Sequence, residues 1–444
     1  MKVHLVSLGC ARNRVDSEHM LGRLQAAGLQ ITEDPSKAEI IVVNTCSFIT
    51  PAVEESIETI LEMAEHKKSG RCRKLIVAGC LPERYRRELI RSLSEVDAFL
   101  GTGAFDRIVE ASTADSASPI CMLPDPETPS LSPPHAPRVR STRHTAYLKI
   151  AEGCRRRCTY CIIPKLRGRQ RSRSLDDILA EAREQIDSGV KELTLIAQES
   201  TGYGADLTPP ASLAALLARL ADLAGQTPED RRPWIRFLYG HPESLSDDTI
   251  QVVAERPEIC SYFDIPIQHA SPSVLHAMGR GYGPGQIRKV AAKIRSAVPE
   301  AALRTTAIVG FPGETEADVD LLLELASEIR FDHLGVFLYS DADDLPSHRL
   351  KNPVDEDIAR ERFHRLMALQ AEISLDHNRR HIGRRLPVLV EERIDEQLFA
   401  GRTATQAPEV DGATYVRSPS LSPGSFVRAR IVEADEYDLI GVPE

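Results

Sequence analysis

The sequence predicts an α/β chain in three parts: a parallel-sheet domain, a partial (β/α)6 barrel and a small five-stranded β-barrel. Three observations carry this. Over residues 2–110, continuous Val/Ile/Leu runs alternate with amphipathic stretches, the pattern of strands buried on both faces. Between 145 and 340, six further apolar runs are each followed by a helical stretch, and repeated right-handed βα crossovers curl into a barrel. The last stretch turns to short strands separated by Gly, Pro and Ser. The expected boundaries are 1–111, a connector over 112–143, 144–380 and 381–444.

Composition sets the outer limits. A chain of 444 residues with 42 % hydrophobic content can bury two or three cores. No apolar run approaches the roughly 20 residues of a membrane span, and no signal peptide is read at the N-terminus, so a cytoplasmic protein with no membrane partner is expected. Nine cysteines without an export signal suggest metal ligation rather than disulfides. The formal net charge is −10, from 55 Lys+Arg against 65 Asp+Glu. That balance weighs against a broad nucleic-acid surface and favours a basic partner.

In the first part, Lys2–Leu8, Glu39–Asn44 and Lys74–Ala78 read as strands, with helices to about 27, over about 51–67 and over about 83–93. Each strand ends in a cysteine: Cys10, Cys46 and Cys80. Parallel strands align their carboxyl ends along one edge, where open α/β sheets bind ligands. Three cysteines distant in sequence can therefore meet in space as a three-thiolate site. The alternative is that each is a small buried hydrophobe. Cys72, Cys121 and Cys260 share no such pattern and read as structural.

The connector is rich in Pro (119, 124, 126, 129, 133, 134, 137), Ser and Thr, and reads as semi-extended. The six barrel strands are expected at 145–151, 191–197, 234–239, 261–267, 302–309 and 333–339. After the first comes Cys154-Arg-Arg-Arg-Cys158-Thr-Tyr-Cys161, a C-x3-C-x2-C loop on the functional, carboxyl face. Three thiolates are one fewer than a closed zinc site or a fully ligated cluster requires. A cluster so held keeps one iron open; the alternative is a zinc loop completed by a distant His.

Other strand ends become candidates for the same cavity: Gln198 and Glu199, Gln268 and His269, and Gly310 and Gly313, whose lack of a side chain permits close backbone approach. A strand-end His269 is either a binding group or a satisfied core histidine, and Gly310-Phe-Pro-Gly313 is either a cofactor contact or a tight turn. The basic run Lys165, Arg167, Arg169, Arg171 and Arg173 reads either as an RNA-contacting patch or as a rim attracting an acidic substrate side chain.

The last part, after a charged helix over about 355–380, has strands near 386–390, 397–399, 414–416, 426–432 and 438–440. Five short strands suggest a small barrel of the oligonucleotide-binding kind. Residues 384–444 hold seven Arg and no Lys against eleven Asp+Glu, a balance that suits a basic protein better than a polyanion.

The C-x3-C-x2-C loop after an apolar strand resembles the radical S-adenosylmethionine enzymes. With the three-cysteine first domain and the terminal barrel, of the TRAM type in that family, the whole chain resembles their methylthiotransferases. Ser7–Asn13, Val43–Ile49, Asp264–Ser271 and Tyr437–Gly441 resemble the branch acting on an aspartate of small-subunit ribosomal protein twelve. The other branch acts on a modified adenosine in transfer RNA, and commonly has a Ser where His269 stands. Tyr339-Ser-Asp-Ala-Asp-Asp-Leu345 departs from the acidic-Gly-Thr segment usual there, which puts any substrate contact by this loop in doubt.

The resemblance implies two 4Fe–4S clusters, one on Cys154, Cys158 and Cys161 and one on Cys10, Cys46 and Cys80. The first binds S-adenosyl-L-methionine and cleaves it reductively, with Tyr160 leaning against the adenine. The resulting radical takes a hydrogen from the aspartate β-carbon. Sulfur is transferred at the second cluster, and a second S-adenosylmethionine supplies the methyl group. An external electron donor, a sulfur donor and a monomeric enzyme are expected. A non-catalytic metal protein binding ribosomes is the rival from another class.

Overall fold

A computed structural model describes residues 1–127 and 136–444. The first domain is a six-stranded, wholly parallel sheet in the order β2-β1-β3-β4-β5-β6. Its strands are β1 (Lys2–Ser7), β2 (Gln30–Ile31), β3 (Ile40–Thr45), β4 (Lys74–Gly79), β5 (Ala98–Leu100) and β6 (Ile120–Met122). Alternation along the strands sends Ile40, Val42 and Ile76 to one core with Met20 and Leu24, and Ile41, Val43 and Val77 to another with Ile60 and Met63. Helices Ala11–Ala26 and Thr50–Ser69 thus cover opposite faces.

The strand order reverses between β1 and β3. That switch point opens a crevice at the carboxyl edge. Three short strands, β2, β5 and β6, go beyond the sequence expectation, and β6 lies inside the stretch expected as connector. Pro129, Pro133 and Pro134 lie outside the described residues.

The central part has the six expected strands as two parallel triplets. One is β7 (Thr145–Lys149), β10 (Glu192–Ile196) and β11 (Trp234–Phe237); the other is β12 (Tyr262–Asp264), β13 (Ala302–Val309) and β14 (His333–Leu338). Two short strands, β8 (Ala151–Glu152) and β9 (Arg171–Ser172), pair in the cysteine-loop region. The triplets meet through a single bridge, Ile235 to Ile259, and a Gly240 N–H donated to the Asp264 carbonyl at 2.8 Å.

The C-terminal part is a closed barrel, β15-β16-β17-β19-β18, from β15 (Arg385–Arg393), β16 (Leu398–Thr403), β17 (Thr414–Arg417), β18 (Phe426–Ala434) and β19 (Leu439–Pro443). It docks on the central part, and none of its residues lines the cavity described below. Trp234 and Phe426 pack with ring centroids 4.7 Å apart. Glu192, fully buried, accepts from Arg236 Nε at 2.7 Å and Arg402 Nη2 at 2.5 Å. No helix among the described residues is long and apolar enough to cross a membrane.

Candidate active site between two domains

Cys10 caps the helix Ala11–Ala26, Cys46 follows β3, and Cys80 opens the helix Cys80–Ser92 directly after β4. Two glycines let these strand ends crowd together. Gly9 has φ +86°, and a Cβ there would stand 2.7 Å from Cys46 Cβ. Gly79 has φ +96°, and a Cβ there would strike Asn44 Oδ1 and the Thr45 carbonyl.

The second trio sits across from the first. Gly153 (φ +76°) turns the chain out of β8, where a Cβ would strike the carbonyls of Gly168 and Arg169. Thr159 then ties the loop to the barrel, its N–H donating to the Met278 carbonyl at 3.0 Å and its hydroxyl to the Ala277 carbonyl at 2.8 Å. Cys10, Cys46, Cys80, Cys154, Cys158 and Cys161 all line one cavity of about 640 Å3 between the two domains. All nine cysteines are free; Cys72 and Cys260 are buried and Cys121 is exposed.

The thiols differ in environment. Burial opposes ionisation of Cys10, but the Arg12 and Arg167 guanidiniums and the N–H groups of Asn13 and Arg12 outweigh it, leaving that thiol below its ordinary value. Burial pushes Cys80 up to about 12 against the pull of Arg167, and Cys161 likewise to about 12. Thiols so raised give up their protons when they ligate a metal.

The donor set suits iron–sulfur clusters better than single ions. Among the described residues, no three Cys, His, Asp or Glu side chains converge on one ion position. A tetrahedral zinc bound at about 2.3 Å needs its sulfurs within about 4 Å of one another. A cluster spreads its thiolates over separate irons, and three cysteines per trio with no fourth protein ligand among the described residues suit it.

Of the other candidates, Tyr160, Gln198, Glu199 and Gln268 line the same cavity. Tyr160 accepts from Arg280 Nη2 at 2.6 Å. Gln198 donates to Glu152 Oε1 at 2.9 Å, and Gln268 sits at φ +66°. Glu199 binds Arg156 through both oxygens, at 2.7 and 2.9 Å. Burial raises the Glu199 carboxyl, but hydrogen bonds from Arg156 and Ser244 bring it below its usual range.

His269, Gly310 and Gly313 are not among the lining residues. His269 is fully buried; its Nδ1 accepts from the Ser271 N–H at 3.0 Å and its Nε2 lies 3.4 Å from Glu314 Oε2. Gly310 donates its N–H to Glu314 at 3.0 Å, and a Cβ there would stand 2.7 Å from Ala359 Cβ. Glu314 also accepts from Arg362 at 2.8 Å. The segment is a tight turn locked by one buried carboxylate, and His269 Nε2 is buried beside it without a hydrogen-bond partner.

The basic run follows neither expected reading as a whole. Arg167 is buried behind Cys80, bonded to Asp16, Glu152 and Asn13 Oδ1 (2.6 Å). Arg173 pairs with Asp177 and Glu181, and Arg171 donates to the Pro126 carbonyl. Lys165 and Arg169 remain exposed. The run mainly fastens the cysteine loop to its surroundings.

Four further lining residues were not singled out from the sequence, Arg12, Arg280, Tyr239 and His241, although Arg12 lies inside the Ser7–Asn13 stretch. Burial, with Arg280 and Arg156 nearby, pushes His241 down to about 3, so its imidazole is neutral.

Comparison with known proteins agrees with this geometry. Family models match the uncharacterized protein family UPF0004 over residues 2–101, the radical SAM superfamily over 148–326 and the TRAM domain over 382–443. Among solved structures, the radical S-adenosylmethionine methyltransferase TsrM of Kitasatospora setae superposes with a TM-score of 0.59 at 14 % identity, over 85 % of this chain and 90 % of that one. The cobalamin-dependent radical enzyme OxsB gives 0.51, over 84 % and 56 %. These likenesses establish the fold. The ribosomal protein uS12 methylthiotransferase RimO of Desulfosudis oleivorans is 50 % identical over 443 residues, 99 % of each chain. That of Geobacter sulfurreducens is 46 % identical over 448 residues, 99 % of this chain and 98 % of the relative. With such identity along its whole length, the chain belongs to the RimO family of radical SAM methylthiotransferases.

Proposed function

We propose that this protein methylthiolates the β-carbon of an aspartate in ribosomal protein uS12. The observation that carries the reading is the facing of two cysteine trios, one from each domain, across one cavity. Cys154, Cys158 and Cys161 would hold the 4Fe–4S cluster that receives S-adenosylmethionine, and Cys10, Cys46 and Cys80 the second. Bound there, these groups supply one-electron cleavage of S-adenosylmethionine, hydrogen abstraction from an unactivated carbon, and the sulfur and methyl groups transferred.

The chain's own residues orient and seclude. Tyr160, held by Arg280, forms an aromatic wall suited to an adenine face. Arg156 neutralises Glu199 beside the loop. Neutral His241 adds no charge to the cavity. Phe48 and Phe337, both largely exposed, stand at the lining from opposite domains and give an entering protein loop an apolar lip.

The charge of the terminal barrel favours the protein substrate over transfer RNA. Its Arg384, Arg385, Arg417 and Arg430 pair with Glu300, Glu444, Glu433 and Glu444, and Arg402 is buried, so few cations remain for phosphates. The electron and sulfur donors are external, and the enzyme acts as a cytoplasmic monomer in this reading.

Reconstituted enzyme, reductant, S-adenosylmethionine and uS12 should yield a methylthio mass increment on the aspartate peptide. Transfer RNA from a deletion strain should keep its methylthio nucleosides, and their loss there would instead support the adenosine reading. Cys154→Ala should abolish 5′-deoxyadenosine production; undiminished production would sink the ligand assignment.

A further inference from the structure

Arg12 has a chemistry its surroundings do not use. It lies in the first turn of the helix Ala11–Ala26, where the helix dipole disfavours a cation, and that turn holds no acidic residue. Its Nη1 donates to the Ala197 carbonyl at 2.7 Å, at the end of a barrel strand. Its Nε is buried without a partner. No carboxylate stands within ion-pair distance of it among the described residues. The nearest buried acids are spent elsewhere: Glu152 on Lys149 and Arg167, Asp16 on the same two cations.

The guanidinium is nevertheless held in place. Its Cζ lies 4.4 Å from the centre of the Tyr239 ring, and Tyr239 is fixed at φ +63° by its N–H bond to Asp264 Oδ2 at 2.8 Å. The part of Arg12 still accessible faces the cavity that the six cysteines line. It comes from the first domain, two residues past Cys10, and reaches across to the barrel. Arg156 and Arg167, by contrast, are saturated by carboxylates, and Arg280, whose Nε is also without a partner, gives its Nη2 to Tyr160 within its own domain.

A fixed, partly desolvated guanidinium with free donors is built to take a carboxylate through paired hydrogen bonds. We propose that Arg12 binds the side-chain carboxylate of the substrate aspartate. The reacting β-carbon is bonded directly to that carboxyl carbon, so clamping the carboxylate positions the carbon between the two trios. An asparagine or an apolar side chain would leave Arg12 unpaired, which makes this residue the selector for acid over amide. This rests on the uS12 reading and names the group that would read the target side chain.

The test uses reconstituted holoenzyme and full-length uS12, either natural or with its target aspartate changed to asparagine. Loss of one charge-assisted pair weakens binding about 10- to 100-fold. The natural enzyme should show that preference for the aspartate form, in Kd and in kcat/KM. Arg12→Met should bind both forms with equal, weaker affinity while keeping its iron content, and Arg12→Lys should recover part of the preference. Full preference in Arg12→Met, or none in the natural enzyme, overturns the proposal. If the natural enzyme modifies uS12 yet ignores the amide change, only the Arg12 assignment falls; if it leaves uS12 unmodified, the function reading falls and takes this assignment with it.

Discussion

Gly9 sets the tightest local condition on the first trio. Any side chain there meets Cys46, and φ +86° is itself unfavourable for an L-residue. Gly9→Ala is expected to cost about 1–2 kcal/mol of backbone strain and to displace Cys46. Iron analysis of the reconstituted variant should then show one cluster's worth lost while S-adenosylmethionine cleavage persists; full iron content would remove the packing argument. His269 sets the opposite case. Its substitution by Leu removes the acceptor of the Ser271 N–H, at a cost of about 1–3 kcal/mol, read as a lower urea midpoint. S-adenosylmethionine affinity should stay unchanged, because His269 does not line the cavity. At this scale Cys10, Cys46 and Cys80 were legible because each ends an unmistakable strand, and Cys154, Cys158 and Cys161 because of their spacing in one loop. Arg12 and Arg280 were not, because what marks them is a missing partner, and a missing partner has no sequence pattern.

Among the elements, the segment 339–345 is one of the ties between the two cysteine-bearing domains. It departs from the family pattern, and two of its polar side chains, Ser340 and Asp344, reach the first domain. Asp344 pairs with Arg84 at 2.6 Å and Lys165 at 2.9 Å, and Ser340 Oγ accepts from the Thr50 N–H at 3.1 Å. Arg84 also donates to the Ser47 carbonyl, beside Cys46. Asp344→Asn leaves the buried Arg84 charge poorly matched, at a cost of roughly 2–4 kcal/mol. Faster amide exchange at 46–50 and 340–345, with little change in the barrel strands, is the expected signature; uniform exchange rates would contradict it. The long strands were readable from continuous apolar runs. Gln30–Ile31, Ala98–Leu100 and Ile120–Met122 were not, since two or three residues carry no period and are strands only because a neighbour's edge is there to pair with.

For the whole molecule, the terminal barrel is held to the central one by a buried ion network. Glu192 sits between Arg236 and Arg402, with Arg402 also bound to Glu391 at 2.7 Å. A second set joins Asp411 to Tyr262, its Oδ2 accepting at 2.6 Å, and to Arg304 at 3.3 Å. No reading of the sequence finds these pairs: Glu192 and Arg402 are 210 positions apart, and each alone looks like a surface charge. Their acid sensitivity follows from the carboxyl. Burial alone would raise Glu192, but Arg402 and Arg236 bring it down from an ordinary 4.5 to about 2. A folded value below the unfolded one gives stability that is complete above the unfolded value and drains away as pH falls toward 2. That difference corresponds to about 3 kcal/mol at neutral pH. Glu192→Gln removes the charge and strands two buried guanidiniums, so its urea midpoint at pH 7 should lie well below that of the natural protein. Between pH 4.5 and 2 the two midpoints should converge, because acid protonates in the natural protein the group the variant has already neutralised. A gap that stays constant down to pH 2 would mean that the Glu192 charge does not secure the barrel.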